Sequence, residues 1–212
     1  MSKPATNPLV QFATELVDFA RGERRGIRNP FVMVPVEPEI ENQVTNRLEA
    51  WATTPDGALA NWEDATDTDG NAVSVTPVRL DALLPETTAF ETTVDLGPLE
   101  RVEAAAVEDT LKRNLASELV DGLIADYIED GRVTNDRSSV LVLLNLGSLY
   151  PFTRASELLD ELDRKNVNTT VGIPFPGSVT GGRLSFFDER ARHYYPAHRI
   201  GNKVTAGYLT DV

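Results

Sequence analysis

Cysteine is absent from this chain of 212 residues, which contains only two histidines. Without thiols the protein cannot form disulfide bonds, thiolate nucleophiles or cysteine-ligated metal sites. No segment approaches the roughly 18 consecutive apolar residues that a membrane span needs. The start of the chain, residues 1–8, is short and polar and does not have the pattern of a targeting sequence. These absences predict a protein of the cytosol that is not attached to a membrane.

Two nucleotide-binding motifs are also missing. A P-loop needs a glycine-rich loop followed by Lys and a hydroxyl residue, and the chain has no Gly-Lys pair, which excludes an ordinary P-loop ATPase. After the first apolar strand, Glu37-Pro38-Glu39 stands where a dinucleotide-binding protein would have G-x-G-x-x-G. We therefore expect no nucleotide cofactor of either familiar type.

The sequence also gives little support for a metal site or for a catalytic nucleophile. His193 and His198 are five residues apart on a predicted strand, which places them on opposite faces, so packing or surface roles are favoured over a zinc site. Gly147-Ser148 lacks the flanking residues of a G-x-S-x-G nucleophile elbow. We expect no cofactor, no metal and no enzymatic activity, and keep a hydrolase with an unrecognised site as a minor alternative.

The charge is strongly one-sided, with 33 acidic against 20 basic residues and a formal net charge of −13. This excess disfavours direct binding to nucleic acid or anionic lipid and leaves room only for a local basic patch. Arginine supplies all but four of the basic residues. Scarce Lys, abundant carboxylates and Asp-rich loops predict a halophilic protein that works in concentrated salt, and an ordinary acidic protein is the alternative.

Apolar periodicity predicts a single α/β domain over residues 1–212, in which strands and helices alternate. Asn7 is placed to cap a first helix that begins at Pro8, and Pro77 places its strand at a sheet edge. Predicted strands cover residues 31–36, 73–80, 140–144 and 169–175, and predicted helices cover 8–20, 39–51, 81–84, 99–130 and 156–165. The expected architecture is three-layered, with a mostly parallel sheet flanked by helices.

Two segments depart from that alternation. Residues 52–72 are rich in Thr, Asp, Gly and Asn and predict an exposed loop or insertion. Residues 194–200 and 203–209 each alternate around Gly201-Asn202, which predicts a C-terminal β-hairpin.

Candidate functional residues gather in two loops that follow neighbouring predicted strands. Residues 145–154 carry two aromatics, a Gly, a Pro and an Arg, and residues 174–182 contain Pro176-Gly177. Pro151 suits a first helical turn, whose amides could hold an anion beside Arg154. An equal alternative is that both loops are only tight turns that close the core and have no role in recognition. Three acidic residues after the first strand, Glu37, Glu39 and Glu41, are interpreted as favourable charges at a helix N-terminus.

The run Val140-Leu141-Val142-Leu143-Leu144-Asn145-Leu146-Gly147-Ser148-Leu149-Tyr150-Pro151-Phe152-Thr153-Arg154 is followed by Pro176-Gly177, Leu184-Ser185-Phe186-Phe187 and Tyr194-Tyr195-Pro196-Ala197-His198-Arg199-Ile200. This order of motifs resembles the BrxB family of the BREX bacteriophage-defence systems. The resemblance covers roughly the last third of the chain, and the Gly-Ser-Leu-Tyr-Pro-Phe core is its most specific part. Residues 53–71 lie outside the pattern.

The resemblance implies a small non-catalytic component that works with a PglZ-like protein, a DNA methyltransferase and a large ATPase. We therefore expect an adaptor that binds a PglZ-like partner through residues 145–154 and the terminal Tyr-rich strand. A degenerate nucleotide- or nucleic-acid-binding regulatory domain is the alternative. The candidate partner- or anion-binding residues are Asn145, Gly147, Ser148, Tyr150, Pro151, Phe152, Arg154, Pro176, Gly177, Tyr194, Tyr195 and Arg199.

Overall fold

The structure is a computed structural model that describes residues 7–24, 29–53, 73–95, 101–180, 183–187 and 197–209. Its helices are α1 (Pro8–Ala20), α2 (Glu41–Thr53), α3 (Leu80–Leu83), α4 (Thr88–Asp95), α5 (Arg101–Leu123) and α6 (Ala155–Arg164). Its strands are β1 (Phe31–Val36), β2 (Ser74–Arg79), β3 (Ser139–Leu144), β4 (Thr170–Thr180), β5 (Arg183–Phe186) and β6 (His198–Arg199). Short 3₁₀ turns cover Pro38–Ile40, Leu84–Glu86, Leu146–Leu149 and Ala206–Leu209.

The six strands form one sheet in the order β2-β3-β4-β1-β6, with β5 paired to β4 alone. Every pairing along the main path is parallel, and the β4–β5 pair is antiparallel. The sheet is flanked by helices, so the predicted three-layer α/β class is confirmed. None of the helices in the described ranges is long and apolar enough to cross a membrane.

Alternate residues of the central strands pack on opposite layers, because side chains of a strand point to its two faces in turn. Val32, Val34 and Val36 belong to the cluster formed with α1 and α2. Phe31 and Met33 belong to the cluster formed with α5 and α6. All six residues of β1 and all six of β3 are buried, which explains the apolar sequences of β1 and of β3 after Ser139.

Glycine 172 determines how closely α1 approaches the sheet. A Cβ atom built on Gly172 would lie 2.7 Å from Cδ1 of Leu16 and 2.8 Å from Cζ of Phe12. Both α1 side chains are fully buried, so the helix packs directly on the backbone of β4. Any side chain at this position would force the side chains of Leu16 and Phe12 to shift.

The predicted C-terminal hairpin is wrong for the described part of that segment, residues 197–209. Strand β6 pairs parallel with β1, and Val204 forms a parallel bridge with Val36. The amides of Ile200 and Val204 donate to the carbonyls of Met33 and Pro35, at 2.9 and 2.8 Å. The tail therefore satisfies the open backbone groups along the edge of β1 instead of pairing with itself.

Other boundaries differ from the sequence-based expectation. Strand β4 extends to Thr180, beyond the predicted 169–175, because its end pairs with β5. The long predicted helix ends in a π-helical segment, Ile124–Glu129, and Gly131 follows with φ of +75°, as a C-terminal cap requires. Helix α4 was not predicted, although Thr87 offers a capping signal: its Oγ1 accepts from the amide of Phe90 at 3.2 Å. The predicted loop at 52–72 lies mostly outside the described residues.

Candidate functional site at the carboxyl edge of the sheet

The loops that follow β1, β2, β3 and β4 meet at one edge, because parallel strands end on the same side of a sheet. Between β3 and α6 the chain turns sharply at Asn145, whose φ of +58° and ψ of 43° are left-handed. Asn tolerates this conformation better than most residues. Oγ of Ser148 donates to the Asn145 carbonyl at 2.7 Å, which closes the turn on itself.

A buried carboxylate joins two distant parts of the chain at this edge. Glu41, the first residue of α2, is only 8% exposed, and its Oε1 accepts from the amide of Gly147 at 2.8 Å. A Cβ on Gly147 would overlap with Oε2 of Glu41, so glycine is needed here for close approach. Burial raises the pKa of Glu41 above its ordinary value; the Gly147 amide opposes this shift and the charge of Asp81 adds to it.

Asp81 extends the polar network from the end of β2. Arg79 donates to both its oxygens, from Nε at 3.1 Å and from Nη2 at 2.9 Å, and also lies 3.9 Å from Glu49. Burial pushes the pKa of Asp81 up, but hydrogen bonds from the side chains of Arg79 and Asn145 outweigh it and hold that pKa below its ordinary value. Asp81 therefore stays ionised and fixes Asn145 in its turn.

An aromatic cluster stands beside this network. The ring of Tyr150 stacks on Phe186 with centroids 5.5 Å apart and meets Phe187 at 4.9 Å. Phe186 also contacts Phe175, at 5.5 Å. Tyr150 and Phe187 are half-buried, whereas Phe186 and Phe175 are buried in the core. The cluster therefore has an inner part that anchors it and an outer part that faces solvent.

The family model of the BREX protein BrxB matches residues 82–200, more than half of the chain. The chain belongs to the BrxB family. BREX protein BrxB of Escherichia coli O9:H4 (strain HS) is 30% identical over 119 residues, which cover 52% of this chain and 59% of that relative. This chain thus spans less than two thirds of the length of the relative. No solved structure matches the chain. The family resemblance predicted from the sequence is confirmed.

Part of the predicted surface of this BrxB-family chain is brought together. The loops after β3 and β4 share one edge, as predicted. Phe187 links them: its amide donates to the Pro176 carbonyl at 3.0 Å, and its ring contacts Tyr150. Gly177 has φ of +153°, and a Cβ there would overlap with the Ser185 carbonyl oxygen, so glycine permits the β4–β5 pairing. The predicted residues that this edge contains are Asn145, Gly147, Ser148, Tyr150, Pro176 and Gly177.

Two predictions in the 145–154 loop need correction or refinement. Pro151 is not in a first helical turn: it is exposed in a turn before α6, which begins only at Ala155. Arg154 occupies the N-cap position, and its amide donates to Oε2 of Glu157 at 2.8 Å, so that amide is satisfied within the chain. Phe152 is half-buried and packs against the core cluster of α5 and α6.

Of the remaining predicted residues, the one that the structure describes does not join the edge. Arg199 lies in β6 and pairs in register with Met33, so β1 and β4 separate it from β3. Tyr194 and Tyr195 lie outside the described residues. His198 packs as predicted, with its ring 5.8 Å from Phe19 and its Nε2 3.4 Å from Oε2 of Glu15.

Sequence reasoning missed three contributors to this edge: Glu41 as a partner of Gly147, and Phe186 and Phe187 as partners of Tyr150. Glu41 and Gly147 are 106 residues apart, and no local pattern signals such a pair. The two phenylalanines had a signal, because both fall within the motif Leu184-Ser185-Phe186-Phe187 that carried the family resemblance. Within the described ranges, no group of three or more His, Asp or Glu side chains is arranged to hold a metal ion.

Proposed function

We propose that the chain is a non-catalytic adaptor of a BREX assembly that binds a PglZ-like protein. The binding surface is the aromatic edge, defined as residues 145–154 together with Phe186 and Phe187. Through this contact the chain would bring the PglZ-like protein to the other components, a methyltransferase and a large ATPase. The observation that carries the proposal is the half-exposed pair Tyr150 and Phe187, which rests on buried rings within the family-matched region.

Preorganised aromatic side chains are well suited to protein recognition. Large rings dominate binding energy at interfaces, and they lose little conformational freedom on binding when neighbouring rings already hold them. Phe186 holds both Tyr150 and Phe187 in place from below, at 5.5 and 5.0 Å. Arg154 adds a cationic side chain, of the type enriched at protein interfaces, at the end of the same loop.

The polar groups of the edge support an adaptor better than a nucleotide-binding or hydrolytic role. The Gly147 amide, a predicted anion donor, is taken by the carboxylate of Glu41, which would repel a phosphate. The Ser148 hydroxyl donates to a backbone carbonyl instead of a side-chain base.

The test is co-purification of a tagged chain with the PglZ-like protein of the same BREX system. The double variant Tyr150→Ala, Arg154→Ala is expected to lose the complex and phage resistance. A matched control is Tyr127→Ala, Arg132→Ala, which removes a Tyr–Arg pair 5.7 Å apart near the amino end of β3. Both variants should retain the far-ultraviolet circular dichroism of the parent. Intact complex and intact resistance in the first variant would contradict the assigned surface.

A further inference from the structure

The two oxygens of the Glu41 carboxylate are in different situations. Oε1 accepts the Gly147 amide at 2.8 Å, whereas no described residue donates a hydrogen bond to Oε2. The residue is more than nine-tenths buried, with 8% exposed. Among the described residues, Oε2 is not one of the fully buried side-chain atoms that lack a hydrogen-bond partner, so it retains access to solvent. Such an oxygen is suited to receive a donor from a binding partner.

The cation that belongs to this polar network, Arg79, is already engaged. Arg79 donates to both oxygens of Asp81 and also lies beside Glu49, so its charge is shared between two acids. Asp81 adds to the negative potential at Glu41 and raises the pKa of Glu41 further. The edge therefore has a negative excess centred on a buried group, within a chain of net charge −13. This field attracts a positively charged partner segment.

An aromatic ring borders the same oxygen. A Cβ built on Gly147 would overlap with Oε2 of Glu41 and lie 3.1 Å from Cζ of Phe187, so the carboxylate and the ring meet at this glycine. Tyr150 continues the aromatic face from Phe187. Ser148 next to Gly147 is exposed, so the junction borders on solvent. Aromatic faces bind guanidinium groups, and the apolar stems of long cationic side chains pack along them.

We propose that the aromatic edge is a receptor for an arginine side chain of the partner protein, whose guanidinium pairs with Oε2 of Glu41 and stacks on Phe187. Arginine fits better than lysine because its planar fork can donate to a carboxylate and stack on a ring at the same time. This inference rests on the proposed function for the location of the surface. It adds the chemistry of the partner residue.

The test uses the full chain labelled with ¹⁵N and titrated with N-acetyl-arginine amide, at the lowest ionic strength that keeps it folded. N-acetyl-citrulline amide, which has the same shape without the charge, is the matched probe. Arginine should shift the amide resonances of Gly147 and Phe187 with a dissociation constant on the order of millimolar, as a single small-ligand contact allows. Citrulline should shift them at least about tenfold less at equal concentration.

Two Glu→Gln variants of α2 identify the carboxylate responsible. Glu41→Gln should abolish the arginine response, whereas Glu49→Gln, on the same helix and beside Arg79, should retain it. No response in the wild type, an equal response to citrulline, or an unchanged response in Glu41→Gln would overturn the inference. These outcomes are separate from the co-purification test. If Tyr150→Ala, Arg154→Ala loses the complex but the wild type shows no arginine response, the adaptor function is retained and the arginine receptor is rejected.

Discussion

The hydroxyl of Thr153 gives a direct test of the loop that carries the aromatic edge. Thr153 lies between Phe152 and Arg154 and is fully buried, yet its Oγ1 has no hydrogen-bond partner among the described residues. An unpaired buried hydroxyl loses its hydration without compensation, which costs about 1–3 kcal/mol. Replacing it by a methyl group of similar shape should remove this cost.

Thr153→Val is therefore expected to stabilise the protein by about 1–2 kcal/mol, the desolvation penalty less imperfect packing of the new methyl. In a chain of this size, 1 kcal/mol corresponds to a rise of about 2–4 °C in Tm. The measurement is thermal unfolding by circular dichroism at constant pH and salt, with chemical unfolding to obtain the free energy directly.

The matched control is Thr170→Val in β4. Thr170 is equally buried, but its Oγ1 donates to the Arg137 carbonyl at 3.0 Å. The same substitution should therefore destabilise the protein by about 1 kcal/mol, since a hydrogen bond is lost. Opposite signs at the two positions support the geometry of the loop. A loss of stability in Thr153→Val would refute the reasoning, because it would mean that the hydroxyl is paired, with ordered water or otherwise.

Three further outcomes are expected. The pKa of Glu41 is raised in the folded state, so the folded protein holds this proton more tightly than the unfolded chain does. Ionisation of Glu41 therefore destabilises the fold at a pH above the raised pKa. Glu41→Gln should thus be more stable than the wild type near pH 7, and this advantage should shrink as the pH falls towards the ordinary pKa of a glutamate. A difference in unfolding free energy between variant and wild type that stays constant across a pH series would contradict this reasoning. Gly172→Ala should destabilise by about 1–3 kcal/mol in chemical unfolding, because its Cβ would meet Leu16 and Phe12. Gly122→Ala in α5, with no atom within 4 Å of the new Cβ, should instead stabilise by about 1 kcal/mol.

The elements that local chemistry determines could be predicted from the sequence. Strand β1 and residues 140–144 of β3 are uninterrupted apolar runs, and Asn7 caps α1 as expected, with its Oδ1 accepting from the amide of Leu9 at 2.9 Å. The edge position of β2 followed from Pro77, which cannot donate to a neighbouring strand. In each case the deciding groups lie within a few residues of one another, so the pattern is visible in the sequence.

What could not be predicted depends on partners far along the chain. The Gly201-Asn202 pair is typical of a hairpin turn, but the edge of β1 offered the tail an alternative set of backbone partners. The contact of Glu41 with Gly147 likewise depends on β1 and β3 each ending beside β4. The predicted position of Pro151 failed because the chain makes one more turn before α6 begins.

The family-matched region, residues 82–200, depends on the remainder of the chain for its core. Strand β1 and helices α1 and α2 lie outside the match, yet β1 pairs with β4 over six residues and α1 covers Gly172. Without them β4 would have an open edge and one uncovered face, and the Gly147 amide would lose the Glu41 carboxylate. A fragment of residues 82–200 should therefore fail to unfold cooperatively in a thermal scan, whereas the full chain should show one transition. A single sharp transition in the fragment, with near-ultraviolet circular dichroism retained, would contradict this dependence and would separate the aromatic edge from its support.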